Sequence, residues 1–490
     1  MEKKILPYDK TSPEEIERYA KKLIGKTFRN VLEDNFTGDE LKKQIKYYNN
    51  PRSKGGLGNL LEEFYFFYKP NNDSEPDFVE AGTELKVTPY EITKTKKVRA
   101  GERLVISMIP NREPIEQEFY KSHLFKKIQL MLIILYLRIK GNDRTSFSID
   151  YVTLFSILSE ECNDDLRIIK EDYKTITDKI IEGKAHELSE GDTKYLGACT
   201  KGGTAKSSIQ PQYYNKDIPA KRRAFSLKQG YMTYVINHYI LNDIVTYDSA
   251  FTSEELENVD FDFEVINRIS KYIGKTEREI YKIFDVKDTI KQKNNIAVCR
   301  MLGVKTDRVA EFEKADIKIK TVRVKRNGTP KESMSFPTMV LKDFAKEEFE
   351  ESEVYNYFSE TRFLLVVFKE QENGEYVLVG SKFWNMPITE LETTGKKEWE
   401  KFRNKIIEGV NFTPKIQKNG IVINNDLPKS SQTQIFHLRP HAKKSAYIID
   451  GKRYGSGLDS DMDELPNGDK MTKQCFWLNH SYVAKIISDI

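Results

Sequence analysis

Within Pro76-Asp-Phe-Val-Glu-Ala-Gly-Thr-Glu-Leu-Lys86, two carboxylates and an ammonium stand at a spacing that suits phosphodiester hydrolysis. Glu84 and Lys86 alternate along an expected strand and so project from one face, with Asp77 a short turn before them. Two acids held close together repel unless a cation lies between them, and oxygen ligands of this kind suit a hard ion such as Mg2+. Lys86 then has a role in orienting and deprotonating the attacking water. A salt-bridged strand end is the other reading of the same residues, because 31% of the chain is charged. Glu182-Gly183-Lys184 repeats the short half of the pattern inside an expected helix.

The elements that must position these groups lie on either side. Lys54-Gly-Gly-Leu-Gly-Asn-Leu-Leu-Glu62 is a glycine-rich turn opening a helix that carries Leu60, Leu61, Phe64 and Phe66, and that helix could aim Glu62 at Asp77 and Glu84. A tight turn followed by a core helix with an exposed glutamate fits the same pattern. Phe119, Ser122 and Lys127 lead into an apolar run from Ile128 to Ile139, which periodicity leaves open as strand or buried helix. Lys127 either reaches the acids or snorkels to solvent.

The length of 490 residues predicts two to four domains, and 39% apolar with 11% aromatic residues predicts globular folding. Basic residues number 79 against 75 acidic, a formal charge of +4, so binding to a polyanion has to come from local clusters. Four cysteines lie far apart without a Cys-x-x-Cys pair, which predicts reduced thiols in a cytoplasmic protein and no zinc site. Met1 to Lys10 lacks the apolar core of a signal peptide, and the 128–139 run is too short to span a bilayer. A soluble protein without membrane attachment is expected.

Along the chain, Ser12 and Glu15 form an expected capping box with Pro13 in the first turn, opening a helix that ends at Gly25. Gly25-Lys-Thr27 is not a phosphate-binding loop, because position 20 is Ala where a second glycine is needed. Lys94, Lys96, Lys97, Arg99 and Arg103 surround a β-rich run ending at Ile109, a basic cluster that suits phosphate contacts or protects an edge strand. Residues 160–190 are highly charged with helical spacing. The loop Thr200-Lys-Gly-Gly-Thr-Ala-Lys-Ser207, with Lys221, Arg222 and Arg223 beyond it, has the small residues and cations that enter a DNA groove, and also reads as a surface loop. Acidic residues then gather at 242–262, marking a boundary.

The second half restarts the first. Ile24-Gly-Lys-Thr27 recurs as Ile273-Gly-Lys-Thr276, Phe119-x-x-Ser122 as Phe349-x-x-Ser352 before Phe363–Phe368, and Phe225–Tyr231 as Phe476–Tyr482. Three anchors in one order at similar spacing predict one fold used twice. Aligned this way, Lys318 stands opposite Glu84, Lys320 opposite Lys86, Glu311 opposite Asp77 and Tyr357 opposite Lys127. The Glu62 region has only Cys299-Arg-Met near it. A copy that exchanges a metal-binding acid for lysine cannot hold the same cation, so the second half is expected to be catalytically dead yet basic. His437-Leu-Arg-Pro-His-Ala-Lys-Lys444 takes the place of the Lys201 loop.

With these motifs together, the chain resembles the MutH family of endonucleases, and its two-part layout is similar to the GATC-specific type II restriction enzymes of that family (Sau-type). The resemblance rests on Lys54-Gly with Glu62, Asp77 with Glu84-x-Lys86, and Phe119-x-x-Ser122 with Lys127. It implies a mixed α/β protein of two restriction-endonuclease-like domains, each a central mixed β-sheet flanked by helices. A catalytic domain would occupy 1–240, an acidic linker 241–260 and a degenerate DNA-binding effector copy 261–490. It further implies Mg2+ on Asp77 and Glu84, Lys86 serving the attacking water, Glu62 and Lys127 completing the site, and double-strand cleavage at GATC. Lys54, Lys201 and Lys206 would contact DNA, Ser226 would occupy the position that senses adenine methylation, and Arg439 and His441 would meet a second DNA copy. The chain departs from the mismatch-repair member at Cys199-Thr200, where that member has Arg-Pro, and at Ser226, where it has tyrosine; Arg439-Pro440 restores the pair but is followed by His441 in place of lysine. Two chains could pair on DNA to cut both strands. The competing readings are a strand-nicking repair endonuclease and a non-catalytic DNA-binding regulator.

Overall fold

The structure is a computed structural model describing residues 6–490 apart from 51–55, 71–73, 94–95, 202–207, 243–248, 253–254, 256–258, 288, 291, 306–307 and 418–419. It divides into two compact units, Met1–Ser249 with Ala310–Asp316, and Ala250–Val309 with Ile317–Ile490. The chain therefore crosses between units at 249/250, within the acidic 241–260 segment, and again around the short 310–316 piece, which the division at 261 does not anticipate.

Unit 1 begins with α1 (Pro13–Ala20), where Ser12 Oγ accepts from the Glu15 backbone N–H. The reciprocal half of the expected capping box is not formed, because Glu15 pairs with Arg18 on the next turn. Gly25 has φ +82° and its N–H donates to Ile149 O at 2.8 Å, so this glycine turns the chain onto the sheet. Helices α2 (Phe28–Asn35), α3 (Gly38–Tyr48) and α4 (Gly56–Phe64) follow.

These helices accompany a sheet of β1 (Glu84–Ile92), β2 (Val98–Ala100), β4 (Leu130–Leu137) and β5 (Ile149–Ser156) in the order β2-β1-β4-β5, with only the β1–β4 pair parallel. The apolar run that periodicity left open divides at Gln129: Ile128 ends α5 (His123–Ile128) and the remainder becomes β4. Met131 to Leu135 have no exposed surface, which explains a continuous apolar run where a half-exposed strand would alternate. Ile16, Phe28, Leu32, Leu60 and Leu61 bury one face of this sheet through Leu132 and Ile134. A second, antiparallel sheet joins β3 (Leu104–Met108), β9 (Arg223–Leu227) and β6 (Leu196–Thr200) in the order β3-β9-β6, followed by α7 (Gln229–Tyr234), while β7 (Ile209–Gln210) and β8 (Ala220–Lys221) form a short ribbon. The long helix α6 (Asn163–Ile181) brings Asp172 to accept from the backbone N–H groups of Lys194, Tyr195 and Leu196 at 2.8, 2.6 and 2.9 Å.

Unit 2 repeats this plan. Its sheet of β10 (Ile317–Val324), β12 (Arg362–Glu370) and β13 (Tyr376–Trp384) has β10 parallel to β12 and β13 antiparallel, and a second sheet runs β11 (Met334–Thr338), β21 (Gln474–Leu478), β16 (Phe436–Pro440). Local bonds coincide as well. Gly274 N–H donates to Leu378 O at 2.9 Å as Gly25 does to Ile149. Ser122 and Ser352 both cap a helix and donate back to a phenylalanine carbonyl, at 2.6 and 2.7 Å. Glu398, on the helix Lys396–Glu408, accepts from Ile435 and Phe436 N–H at 3.1 and 2.8 Å in the way Asp172 serves unit 1. Unit 2 adds a hairpin of β14 (Phe412–Gln417) and β15 (Gly420–Asn425) and a sheet ordered β18-β17-β20-β19 from β17 (Ala446–Ile449), β18 (Lys452–Gly455), β19 (Met462–Glu464) and β20 (Lys470–Thr472).

The piece 310–316 includes a helix, Ala310–Ala315, that lies in unit 1 against α7. A Cβ on Gly230 would come within 2.6 Å of Glu313 O, so only glycine allows this approach. Lys314 Nζ reaches the buried Asp165 at 2.7 Å.

Candidate active site

Four elements bring the five predicted residues of the site together in unit 1. Helix α4 carries Glu62. Asp77 precedes β1, its Oδ2 accepting from Leu85 N–H at 2.9 Å while its own N–H donates to Glu84 Oε2 at 3.3 Å. This exchange locks the turn to the start of the strand. Glu84 and Lys86 share a face of β1, as their alternation predicts, and Lys86 Nζ lies 2.8 Å from Glu84 Oε1. Ser122 Oγ caps α5 by accepting from Phe125 N–H at 3.0 Å, and the last turn of α5 delivers Lys127 Nζ to 3.2 Å from Glu84 Oε2. Lys127 is buried beside the acids and does not snorkel.

The electrostatics are those of a site short of positive charge around two of its acids. Glu84 is only 3% exposed and is neutralised by two ammonium groups. Burial, then the charges of Asp77 and Glu84, push the Glu62 carboxyl up to about 7. Burial, then the charge of Glu84, pushes Asp77 up to about 6. A divalent cation among these oxygens would reverse both shifts. Among the described residues no group of three or more His, Cys, Asp or Glu side chains is drawn closely enough to hold a metal ion by itself. Mg2+ needs less, since it keeps several waters and commonly takes one or two carboxylates. Hard oxygen donors whose ionisation is held back for want of a counter-charge fit such an ion.

One neighbour carries no signal in the sequence. The Tyr68 hydroxyl is buried without a hydrogen-bond partner, and burial together with the charges of Asp77, Glu62 and Glu84 raises its ionisation far above the usual tyrosine range. Tyr68 reads from sequence as one more aromatic after α4; only its distance in space from Asp77 distinguishes it from Phe64 or Phe66.

The residues expected at DNA fare differently. Lys54 and Lys206 lie outside the described residues, as does Lys94 of the basic cluster. Lys201 follows β6, its N–H donating to Arg222 O at 2.7 Å. Ser226, expected at the methylation-sensing position, sits in β9, the central strand of its sheet, with no exposed surface in the DNA-free chain. Arg223 is buried too and donates to Ala198 O at 2.7 Å. Arg99 pairs with Glu91 at 2.6 Å and Arg103 with Glu190, so part of the basic cluster serves the fold. Glu182 and Lys184 form an exposed ion pair past the end of α6, remote in role from any site. In unit 2, Arg439 and His441 are exposed and flank Trp477, with the guanidinium 5.0 Å and the imidazole 6.2 Å from its ring. Trp477 occupies in β21 the position of Ser226 in β9.

The site's counterpart in unit 2 has changed sign. Lys318 is the second residue of β10 and pairs with Phe363 of β12 as Glu84 pairs with Met131 of β4, and Lys320 Nζ donates to Ser335 O at 3.1 Å, its ionisation pushed down by burial and then by Lys318. Phe66 N–H bonds to Leu61 O and Val304 N–H to Cys299 O, a shared helix ending that sets Arg300 opposite Glu62. Glu311, which the alignment sets opposite Asp77, falls in the 310–316 piece of unit 1, where its carboxylate accepts from Ser249 Oγ.

Comparison with known proteins agrees with this duplication. The family described as "DNA mismatch repair enzyme MutH" matches residues 66–172, in unit 1, and again 302–396, in unit 2 apart from the 310–316 piece. The first segment contains Asp77, Glu84, Lys86 and Lys127, and the second contains Lys318 and Lys320. The type II restriction enzyme Sau3AI of Staphylococcus aureus is 35% identical over 498 aligned positions, covering 96% of this chain and 97% of that enzyme. Among the described residues no helix is long and apolar enough to cross a membrane. The chain belongs to the MutH family and is a type II restriction endonuclease of the Sau type, a DNA-cleaving enzyme built from two restriction-endonuclease-like domains.

Proposed function

We propose that unit 1 cuts both strands of double-stranded DNA at GATC in a Mg2+-dependent reaction, and that unit 2 binds a second DNA copy as an allosteric effector. The observation that carries this reading is the contrast between two strands that pair alike, β1 with β4 and β10 with β12: Glu62, Asp77, Glu84, Lys86 and Lys127 converge in unit 1, whereas unit 2 has Arg300, Lys318 and Lys320 at the corresponding places. Asp77 and Glu84 would hold the ion, which when bound supplies charge against the developing phosphorane and acidifies water. Lys86 orients the attacking water in line with the leaving oxygen, and Lys127 holds Glu84 in place. Glu62, on the neighbouring helix, completes the site and takes up the proton that the water loses. In unit 2 the exposed Arg439 and His441 and the half-buried Trp477 form a cationic and aromatic face suited to phosphates and bases. One candidate site per chain supports pairing of two chains on DNA to cut both strands.

The test is digestion of a sequenced plasmid by the full chain with and without Mg2+, followed by mapping of the ends, beside Glu84→Gln. Linear product with ends at GATC, lost in the variant, is expected. Ends at another sequence would overturn the GATC assignment, and nicked circles alone would favour a strand-nicking enzyme. Equal rates on one-site and two-site plasmids would remove the effector role.

A further inference from the structure

We propose that Tyr68 is a further positioning residue of the unit 1 site: its hydroxyl donates a hydrogen bond to a water held among the Glu62, Asp77 and Glu84 carboxylates when they bind their divalent cation. The proposal rests on the cation reading given above.

A buried hydroxyl without a partner is uncommon in a folded protein and points to a missing water or ligand. The oxygen of Tyr68 has neither exposed surface nor a protein partner. Its ring packs against Phe78 at 5.4 Å and lies 6.5 Å from Phe66, neither of which offers an acceptor from its side chain. The nearby Tyr8 hydroxyl is already spent on Phe66 O at 2.7 Å. The backbone fixes the residue to the site from both sides. Tyr68 N–H donates to Glu62 O at 3.0 Å, and Phe78, on which the ring rests, is the neighbour of Asp77 in the chain.

The charges of these three carboxylates act on the hydroxyl, and two of the three find partners elsewhere. Asp77 Oδ2 accepts from Leu85, and Glu84 accepts from Lys86 and Lys127. No carboxylate oxygen lies within hydrogen-bond reach of Tyr68, so the missing partner is a molecule that bridges a short gap. A water oriented by a cation is such a molecule: its lone pair or proton faces are fixed by the ion, and it needs further polar partners to stay ordered. Tyr68 remains protonated in this negative surrounding and therefore acts as a donor.

The experiment follows thermal unfolding of the full-length parent and Tyr68→Phe against Mn2+ concentration, without DNA. The variant keeps the ring packing and removes only the orphaned hydroxyl. Its metal-free melting temperature is expected to equal or exceed that of the parent, while the Mn2+ concentration giving half of the melting shift rises about tenfold. An unchanged Mn2+ dependence overturns the proposal, whether or not the metal-free protein is destabilised. If the parent itself shows no Mn2+ shift, the cation reading fails, an outcome visible before the variant is made, and the role of Tyr68 falls with it.

Discussion

Lys127 Nζ stands 3.2 Å from Glu84 Oε2, a helix-borne ammonium meeting a strand-borne carboxylate that is 3% exposed. Among the described residues, removing the ammonium leaves Lys86 as the one cation paired with Glu84. Lys127→Met is therefore expected to slow single-turnover DNA cleavage by roughly 10²-fold while DNA affinity changes little, because the loss acts on the placement of a reacting group. Lys86→Met with Lys127→Met should cost much less than the product of the single effects, since both act through Glu84. Parent-like cleavage by Lys127→Met would remove it from the site.

The raised carboxyls of Glu62 and Asp77 make a prediction about pH. A carboxyl that binds its proton more tightly when folded than when unfolded favours the folded state most at low pH, and that advantage is lost as pH climbs through the folded value. Glu62 moves from 4.5 to about 7 and Asp77 from 3.8 to about 6, so the metal-free protein should lose stability between about pH 4 and pH 7 from these groups. Glu62→Gln should raise the metal-free melting temperature at pH 8 and leave it nearly unchanged at pH 4.5. Cation binding, which needs deprotonated ligands, should tighten over the same interval. A melting difference independent of pH would show that Glu62 does not titrate in this range.

Asp172 holds three backbone N–H groups ahead of β6. Asp172→Ala leaves them unpaired in the interior and should destabilise unit 1 by about 3–5 kcal/mol, read from urea unfolding. Burial pushes the Asp172 carboxyl up, so the neutral Asp172→Asn should lose less. Equal losses would mean that charge outweighs the hydrogen bonds.

Ser226 has a buried hydroxyl without a partner. Ser226→Ala is expected to be neutral or stabilising by up to about 1 kcal/mol, with unchanged DNA affinity and unchanged response to adenine methylation. A shift in methylation response would show that β9 opens to DNA in the complex.

Arg439 lies over Trp477 on the exposed end of β16. If this face binds DNA, Arg439→Ala should lower the slope of log affinity against log salt by about 1 for the second DNA copy, and Trp477→Ala should weaken binding with the slope kept. Both should leave single-turnover cutting of bound one-site DNA at its basal rate. Unaltered DNA binding in both variants would place the effector surface elsewhere.

The duplication, the strand carrying Glu84 and Lys86, the helix cap at Ser12, and the family itself were legible in the sequence, because each depends on residues near one another in the chain or on a pattern repeated along it. Periodicity could not divide the 128–139 run, since a strand buried on both faces shows no alternation. The register of the second copy was legible where apolar anchors fix it, whereas the packing of the short helix that carries Glu311 within the other unit was not. Ser226 and Tyr68 mark the same limit from opposite sides. The resemblance set Ser226 at a methylation-sensing position, and only the fold shows it buried in a central strand. Tyr68 matched no motif, yet lies among the carboxylates. Which polar atoms end up buried, and beside which charges, is decided when distant segments pack, and no local pattern in the chain encodes that distance.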